Sequence, residues 1–129
     1  MKKIKFLFDL GNVFFDWDPR HYYKDVFSNT NEMEYFLSEI CNDKWNIQQD
    51  AGRTIEEAEK DLIPLFPEYQ DKIKLYYKNH GKMIKGVFET SIELLEELKK
   101  KSYFCYVLSN WSAETFLDTK EKFSFLNFF

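Results

Sequence analysis

The sequence predicts an α/β fold in which a parallel sheet carries an inserted block of helices, and three observations support this. Residues 4–8 and residues 103–108 are short runs rich in bulky apolar side chains, which is typical of buried parallel strands. Between them, most of the chain shows helical spacing and helix start signals without a strand pattern. A helix directly precedes the second run, so the order predicts two parallel strands joined by a right-handed crossover. We therefore assign residues 1–16 and 84–129 to the α/β core and residues 17–83 to a helical cap.

The helical cap is predicted from its helix starts. Asp18 followed by Pro19 is typical of an N-cap and first helical position. The pairs Asn31 with Glu34 and Thr54 with Glu57 match the capping box, in which a polar N-cap is followed three residues later by Glu. These signals favour three to four helices inside the insertion.

Composition excludes several classes of protein. The chain has 129 residues, 18 basic and 22 acidic, and a net charge of −4, so it offers no basic stripe for nucleic acid. No apolar run approaches the length of a membrane helix, and the N-terminal apolar stretch is too short for a signal peptide. Cys41 and Cys105 lie far apart in apolar contexts, as expected of reduced, buried thiols. We expect a cytoplasmic protein without nucleic-acid or membrane partners.

Polar residues follow both predicted strands. Asp9 ends the first strand and Ser109 ends the second, and ligands bind beyond the carboxyl ends of strands in open parallel sheets. If the strands are neighbours, ~4.8 Å apart, both side chains face one crevice. A helix starting after Asn110 would direct backbone N–H groups to the same place. A carboxylate, a hydroxyl and a helix N-terminus suit phosphoryl transfer, with Mg²⁺ between the negative partners.

Each of these residues also has a purely structural interpretation. Asp9 can be a turn former, Gly11 can supply a positive φ, and Ser109 with Asn110 can form a loop or cap. Asp16 and Asp18 are typical caps. Three aromatic residues of the cap could face a substrate, namely Trp17, Tyr22 and Trp45. For Trp45, packing in the core is at least an equal alternative.

Two segments resemble motifs of the haloacid dehalogenase-like (HAD) hydrolase superfamily. The first is Phe8-Asp9-Leu10-Gly11-Asn12-Val13, and the second is Val107-Leu108-Ser109-Asn110. The helical insertion between them is similar to the cap of subfamily I members, and in particular to that of subfamily IA. With the cap segment Trp45-Asn46-Ile47-Gln48-Gln49-Asp50-Ala51-Gly52, the first motif looks most like the branch that includes α-D-glucose-1-phosphate phosphatases. The resemblance implies a Rossmann-like core and covers essentially the whole chain.

The resemblance assigns roles to individual residues. Asp9 would be the nucleophile and a Mg²⁺ ligand, and the Gly11 carbonyl would be a second ligand. Ser109 and the Asn110 amide would bind the phosphoryl group of a small phosphorylated metabolite, such as a sugar phosphate. Most members carry an Asp general acid two residues after the nucleophile, but this chain has Gly11 there. Asp16 is a conjectural substitute.

A second departure lies towards the end of the chain. The family's third-motif Lys and fourth-motif acidic pair lie on later strands, and only twenty residues follow Ser109. We therefore expect an N-terminal portion of such a hydrolase, truncated or naturally short and a poor catalyst by itself. Residues 123–129 contain five apolar residues of seven, so we expect an exposed tail that could support self-association. A non-catalytic binding module or decayed remnant, and less favourably a metal-free 2-haloacid dehalogenase, remain open alternatives.

Overall fold

The structure is a computed structural model that describes residues 4–107 and 111–129. Its four strands are β1 (Lys5–Phe8), β2 (Phe15–Trp17), β3 (Ile84–Val87) and β4 (Phe104–Val107). The seven α-helices of the described residues are α1 (Arg20–Tyr23), α2 (Thr30–Tyr35), α3 (Asp43–Asp50), α4 (Ile55–Leu62), α5 (Gln70–Lys78), α6 (Glu89–Lys100) and α7 (Ala113–Lys122). A π-helical turn spans Phe36–Ile40, and 3₁₀ turns span Ile63–Leu65, Pro67–Tyr69, His80–Met83 and Ser124–Phe128. The chain is thus a mixed α/β protein with a small open sheet.

The predicted pairing of the two apolar strands is confirmed. β1 and β4 are parallel neighbours, with Phe8 opposite Val107 at their carboxyl ends. The expectation that both faces are buried is wrong, because Leu7 is 64% exposed and Tyr106 is 47% exposed. Alternate residues such as Phe6 and Cys105 pack on the α/β core, so the described elements cover one face of the pair.

A second two-stranded sheet was not predicted. β2 and β3 pair antiparallel, with Phe15 opposite Val87 and a register shift after Asp16. The boundary between the predicted core and cap falls within this pairing, and the three-residue strand Phe15-Asp16-Trp17 is too short to show alternation. This ribbon carries the chain from the α/β core into the helices and back.

Two clusters of buried apolar residues form the interior. One belongs to the helical region and is rich in aromatic residues; its largest members with almost no exposure are Tyr23, Phe36, Ile40, Ile73, Tyr76 and Met83. The other underlies β1 and β4; its members are Leu10, Phe14, Phe15, Leu95, Cys105, Phe125 and Leu126. Both cysteines are buried and free, in agreement with the expected thiols.

The C-terminal residues contribute to the second cluster, and the expectation of an exposed tail is wrong. Phe125 and Leu126 are each 6% exposed. The Phe125 ring stacks 5.3 Å from the ring of Phe14, and the Phe129 ring lies 6.0 Å from that of Phe8. The 3₁₀ turn Ser124–Phe128 folds these rings back under β1, while Phe128 remains 36% exposed.

The predicted helix starts are partly confirmed. Thr54 caps α4, since its hydroxyl accepts the Glu57 N–H at 3.1 Å, and the Asp18 carboxylate accepts the Arg20 N–H at 2.9 Å. The prediction for Asn31 is wrong: Asn29 caps α2 by accepting the Glu32 N–H at 3.1 Å. Among the described residues, no helix combines the length and apolar character needed to cross a membrane.

Candidate functional site

Asp9 lies directly after β1 in a tight turn. Its Oδ1 accepts the N–H of Leu10 at 2.7 Å, which orients the carboxylate over the start of the turn. The buried Leu10 anchors this turn, because its carbonyl accepts the N–H groups of Phe14 and Phe15 at 3.0 and 3.1 Å. The sheet edge therefore presents an exposed carboxylate on a braced backbone.

The glycine of this turn does not have the expected conformation. The positive φ belongs to Asn12, at 58°, so the interpretation that Gly11 supplies it is wrong. A Cβ placed on Gly11 would meet nothing within 4 Å. Asn is among the few residues that tolerate the left-handed region, which explains the residue at position 12. Gly11 thus leaves open space beside Asp9.

Asp9 and Gly11 line a cavity of about 190 Å³ between the turn and the helices. Its lining residues come from the turn, from β2, from α3, from the 3₁₀ turn after α5 and from the start of α7; they are Asp9, Gly11, Trp17, Asn46, Asp50, His80, Trp111 and Thr115. The predicted nucleophile therefore lies at a half-open cavity built from both parts of the chain.

Asp50 is a second carboxylate in this cavity. It is the last residue of α3 and is half-buried. Burial raises the pKa of Asp50, and the backbone N–H of Ser112, at the start of α7, donates to the carboxylate and opposes that rise. Asp50 belongs to the cap segment Trp45–Gly52, whose sequence predicted no role for it. Its position beside α7 depends on a long-range contact that no local pattern indicates.

A hydrogen-bond network fixes the wall that carries Asn46. The Tyr77 hydroxyl donates to Asn46 Oδ1 at 2.5 Å and accepts from Gln49 Nε2 at 2.7 Å. Gln49 is almost fully buried, and its Oε1 accepts from Arg53 Nε at 2.9 Å. Because the Tyr77 hydroxyl is bonded to both Gln49 and Asn46, this network holds Asn46 of α3 in a defined position.

Three aromatic rings form the opposite wall. The His80 ring lies 6.4 Å from the ring of Trp17 and 5.7 Å from that of Trp111. Burial lowers the pKa of His80 to about 4, so its imidazole is neutral at pH 7. The buried Nε1–H of Trp17 has no hydrogen-bond partner within the described part of the chain. This wall is apolar but has ring N–H and N groups that could meet a polar ligand.

A pair of carboxylates joins the helical region to α7. Asp50 accepts from the Ser112 N–H, and Glu114 Oε2 of α7 accepts the N–H of Ile55, at the start of α4, at 3.0 Å. The Asp50 carboxylate thus lies at the N-terminus of α7, and the Glu114 carboxylate lies at the N-terminus of α4. The helix dipole favours negative charge at both places. These contacts connect the helical region to α7 beside the cavity.

The remaining predicted site residues are distributed differently. Ser109 and Asn110 lie outside the described residues. Trp45 packs in the helical core, where its Nε1 donates to the Ala58 carbonyl at 3.2 Å. Tyr22 packs against the same core, and neither aromatic belongs to the described lining of the cavity. Of the three aromatic candidates, Trp17 is the one that the structure places at the cavity.

Asp16 also lies apart from the described lining. Its Oδ1 is 3.1 Å from Nε2 of His21, and neither residue is among the described lining of the cavity. The structure therefore gives Asp16 a local partner instead of a place beside Asp9.

The oxygen donors near Asp9 fit a Mg²⁺ ion. The Leu10 N–H donates to Oδ1 of Asp9. Among the described residues, no backbone N–H donates to the Gly11 carbonyl, so this oxygen is available to a metal ion. No group of three or more His, Cys, Asp or Glu side chains that could hold a metal occurs in the described ranges. Mg²⁺ commonly takes one or two carboxylates and keeps several waters, so one carboxylate and one carbonyl suit it.

Comparison of the chain with models of known protein families, with curated proteins and with solved structures found no match.

Proposed function

We propose that this chain carries the nucleophile of a Mg²⁺-dependent phosphomonoesterase of the HAD type, acting on a small phosphorylated metabolite such as a sugar phosphate. The supporting observation is the position of Asp9. It follows a parallel strand, is braced by the Leu10 N–H, and lines a cavity between the turn and the helices. A carboxylate so placed suits covalent catalysis, since it can attack a group held in the cavity.

In the proposed reaction, an oxygen of Asp9 attacks the phosphorus of the ester and forms an aspartyl-phosphate. The Leu10 N–H orients the carboxylate of Asp9 by donating to Oδ1. Asp9 and the Gly11 carbonyl would hold Mg²⁺, which supplies charge neutralisation for the phosphoryl oxygens. By the family resemblance, Ser109 and the Asn110 amide bind the same oxygens.

The cavity walls favour a compact, hydroxylated leaving group. Trp17 and Trp111 offer flat apolar faces, as a sugar ring requires, and Asn46 offers an amide that can bond to a hydroxyl. The volume of about 190 Å³ favours a small metabolite. These features support a sugar-phosphate-sized substrate.

The test uses the protein as its own gene encodes it. Hydrolysis of 4-nitrophenyl phosphate is measured with Mg²⁺ and with excess EDTA, for the wild type, Asp9→Asn and Asp25→Asn. Asp25 is exposed in the helical region and serves as a matched control. We expect EDTA and Asp9→Asn each to lower the rate at least about 1,000-fold, because the nucleophile and its charge balance are lost. Asp25→Asn should retain the wild-type rate. A rate maintained in Asp9→Asn would overturn the proposal.

A further inference from the structure

We propose that Asp50, carried by the helical region, is the general acid that protonates the leaving group, in place of the acid that Gly11 cannot supply. This inference rests on the proposed function. Asp9 and Asp50 line the same cavity from opposite parts of the chain, one from the turn after β1 and one from the end of α3. A substrate in the cavity therefore has a nucleophile on the sheet side and a carboxyl group on the helical side.

The other titratable groups of the described lining do not serve as the acid. Asp9 is committed to attack on phosphorus. His80 is neutral at pH 7, because burial lowers its pKa to about 4, and a neutral imidazole is a very weak proton donor. Asp16 is bonded to His21 and lies apart from the lining. Asp50 is the carboxyl group that remains.

The surroundings of Asp50 suit this role. Burial raises its pKa, so the protonated form persists to a higher pH than for an exposed Asp. The hydrogen bond from the Ser112 backbone fixes the carboxyl group beside the start of α7. The charged and titratable groups around it are Tyr76 and Tyr77 of α5, Arg53 beyond the end of α3, and Asp9 and His80 across the cavity. Burial keeps the two tyrosines neutral, and Arg53 is engaged by Gln49 and Asp61.

The proposed step conserves atoms and charge. The bond between Asp9 and phosphorus forms while the bond between phosphorus and the leaving oxygen breaks, and its electron pair stays on that oxygen. Asp50 transfers its proton to this oxygen, which leaves as an alcohol, and Asp50 becomes a carboxylate. Water then attacks the aspartyl-phosphate; the Asp50 carboxylate takes a proton from that water, and phosphate and Asp9 are released.

The test compares leaving groups. 4-Nitrophenolate leaves without protonation, whereas an alkoxide from an alkyl phosphate needs a proton in the transition state. We measure kcat/KM for 4-nitrophenyl phosphate and for glycerol 1-phosphate in the wild type, Asp50→Asn and Asp43→Asn. Asn keeps an oxygen for the Ser112 N–H, and Asp43 is an exposed residue at the other end of α3. Thermal unfolding checks that each variant is folded.

We expect Asp50→Asn to lower kcat/KM for the alkyl ester about 100-fold or more and for the aryl ester less than about 10-fold. The alkyl rate of the wild type should also fall as pH rises through the pKa of Asp50, and this limb should disappear in the variant. Equal losses for both esters would overturn the acid role and leave the phosphatase proposal standing. If Asp50→Asn unfolds, the variant Asp50→Glu is measured instead. A folded Asp50→Glu that does not restore the hydrolysis of the alkyl ester would likewise overturn the acid role. No Mg²⁺-dependent hydrolysis of either ester by the wild type would overturn both proposals.

Discussion

Truncation of Phe125 tests whether the C-terminal residues form part of the core. The ring is 6% exposed and lies 5.3 Å from the rings of both Phe14 and Phe15. Phe125→Ala removes roughly 130 Å² of buried apolar surface, a little over half of what a large aromatic buries. At about 25 cal/mol per Å² this is about 3 kcal/mol, and the cavity left behind brings the expected loss of unfolding free energy to about 3–5 kcal/mol.

The assay is urea unfolding followed by far-UV circular dichroism, with the slope of free energy against urea compared between variants. Phe128→Ala is the matched control in the same 3₁₀ turn, because Phe128 is 36% exposed and lies outside the buried cluster. We expect it to cost about 1–2 kcal/mol. If Phe125→Ala cost no more than Phe128→Ala, the packing of the C-terminal residues described above would be refuted.

Three further predictions concern the N-cap of α2, the cavity wall at His80 and the turn that contains Gly11. Asn29→Ala should lower the unfolding free energy by about 1 kcal/mol through loss of the α2 cap, and Asn31→Ala should leave it nearly unchanged; urea melts that ranked them in reverse would contradict this. Because the folded pKa of His80 is lowered to about 4, the unfolded state binds more protons below about pH 6.5, and stability should fall as pH drops from there to about 4. His80→Gln should flatten this dependence, and an NMR titration midpoint of His80 near 6.5 would count against it. Gly11→Asp should fold normally, since its Cβ meets nothing within 4 Å, and should restore alkyl-phosphate hydrolysis to the Asp50→Asn variant; a double variant as slow as Asp50→Asn would oppose this.

The elements that local pattern determines were predictable. The apolar runs predicted β1 and β4 because short runs of large side chains favour strands, and the helix between them predicted their parallel pairing. Asp9 was predictable as a residue at the sheet edge for the same reason, and the structure places it at a cavity.

The start of α2 could not be predicted because two neighbouring segments carry the same local pattern. Asn29 with Glu32 and Asn31 with Glu34 both match a capping box. A tertiary contact distinguishes them, since Glu34 is held by Arg20 at 2.7 Å, while Asn29 has the extended backbone of an N-cap. The sequence contains both patterns but not the contact.

Contacts between distant segments were the least predictable. Asp50 reaches Ser112, and Phe125 packs against Phe14, only after the helical region and the C-terminal residues have folded onto the sheet. The burial of Phe125 and Leu126 could not be inferred from their apolar character alone, because such a segment can equally be covered by its own chain or left exposed.

The most direct test of the central claim is to look for the covalent intermediate on Asp9. The gene's full product is mixed with Mg²⁺ and a phosphate ester, quenched in acid at a series of times, digested with pepsin and examined by mass spectrometry. We predict a phosphoryl group on the peptide that contains Asp9, present with Mg²⁺ and absent with EDTA and in Asp9→Asn. Turnover of the ester with Asp9 unmodified at every quench time, or a phosphoryl group on a different residue, would contradict the account.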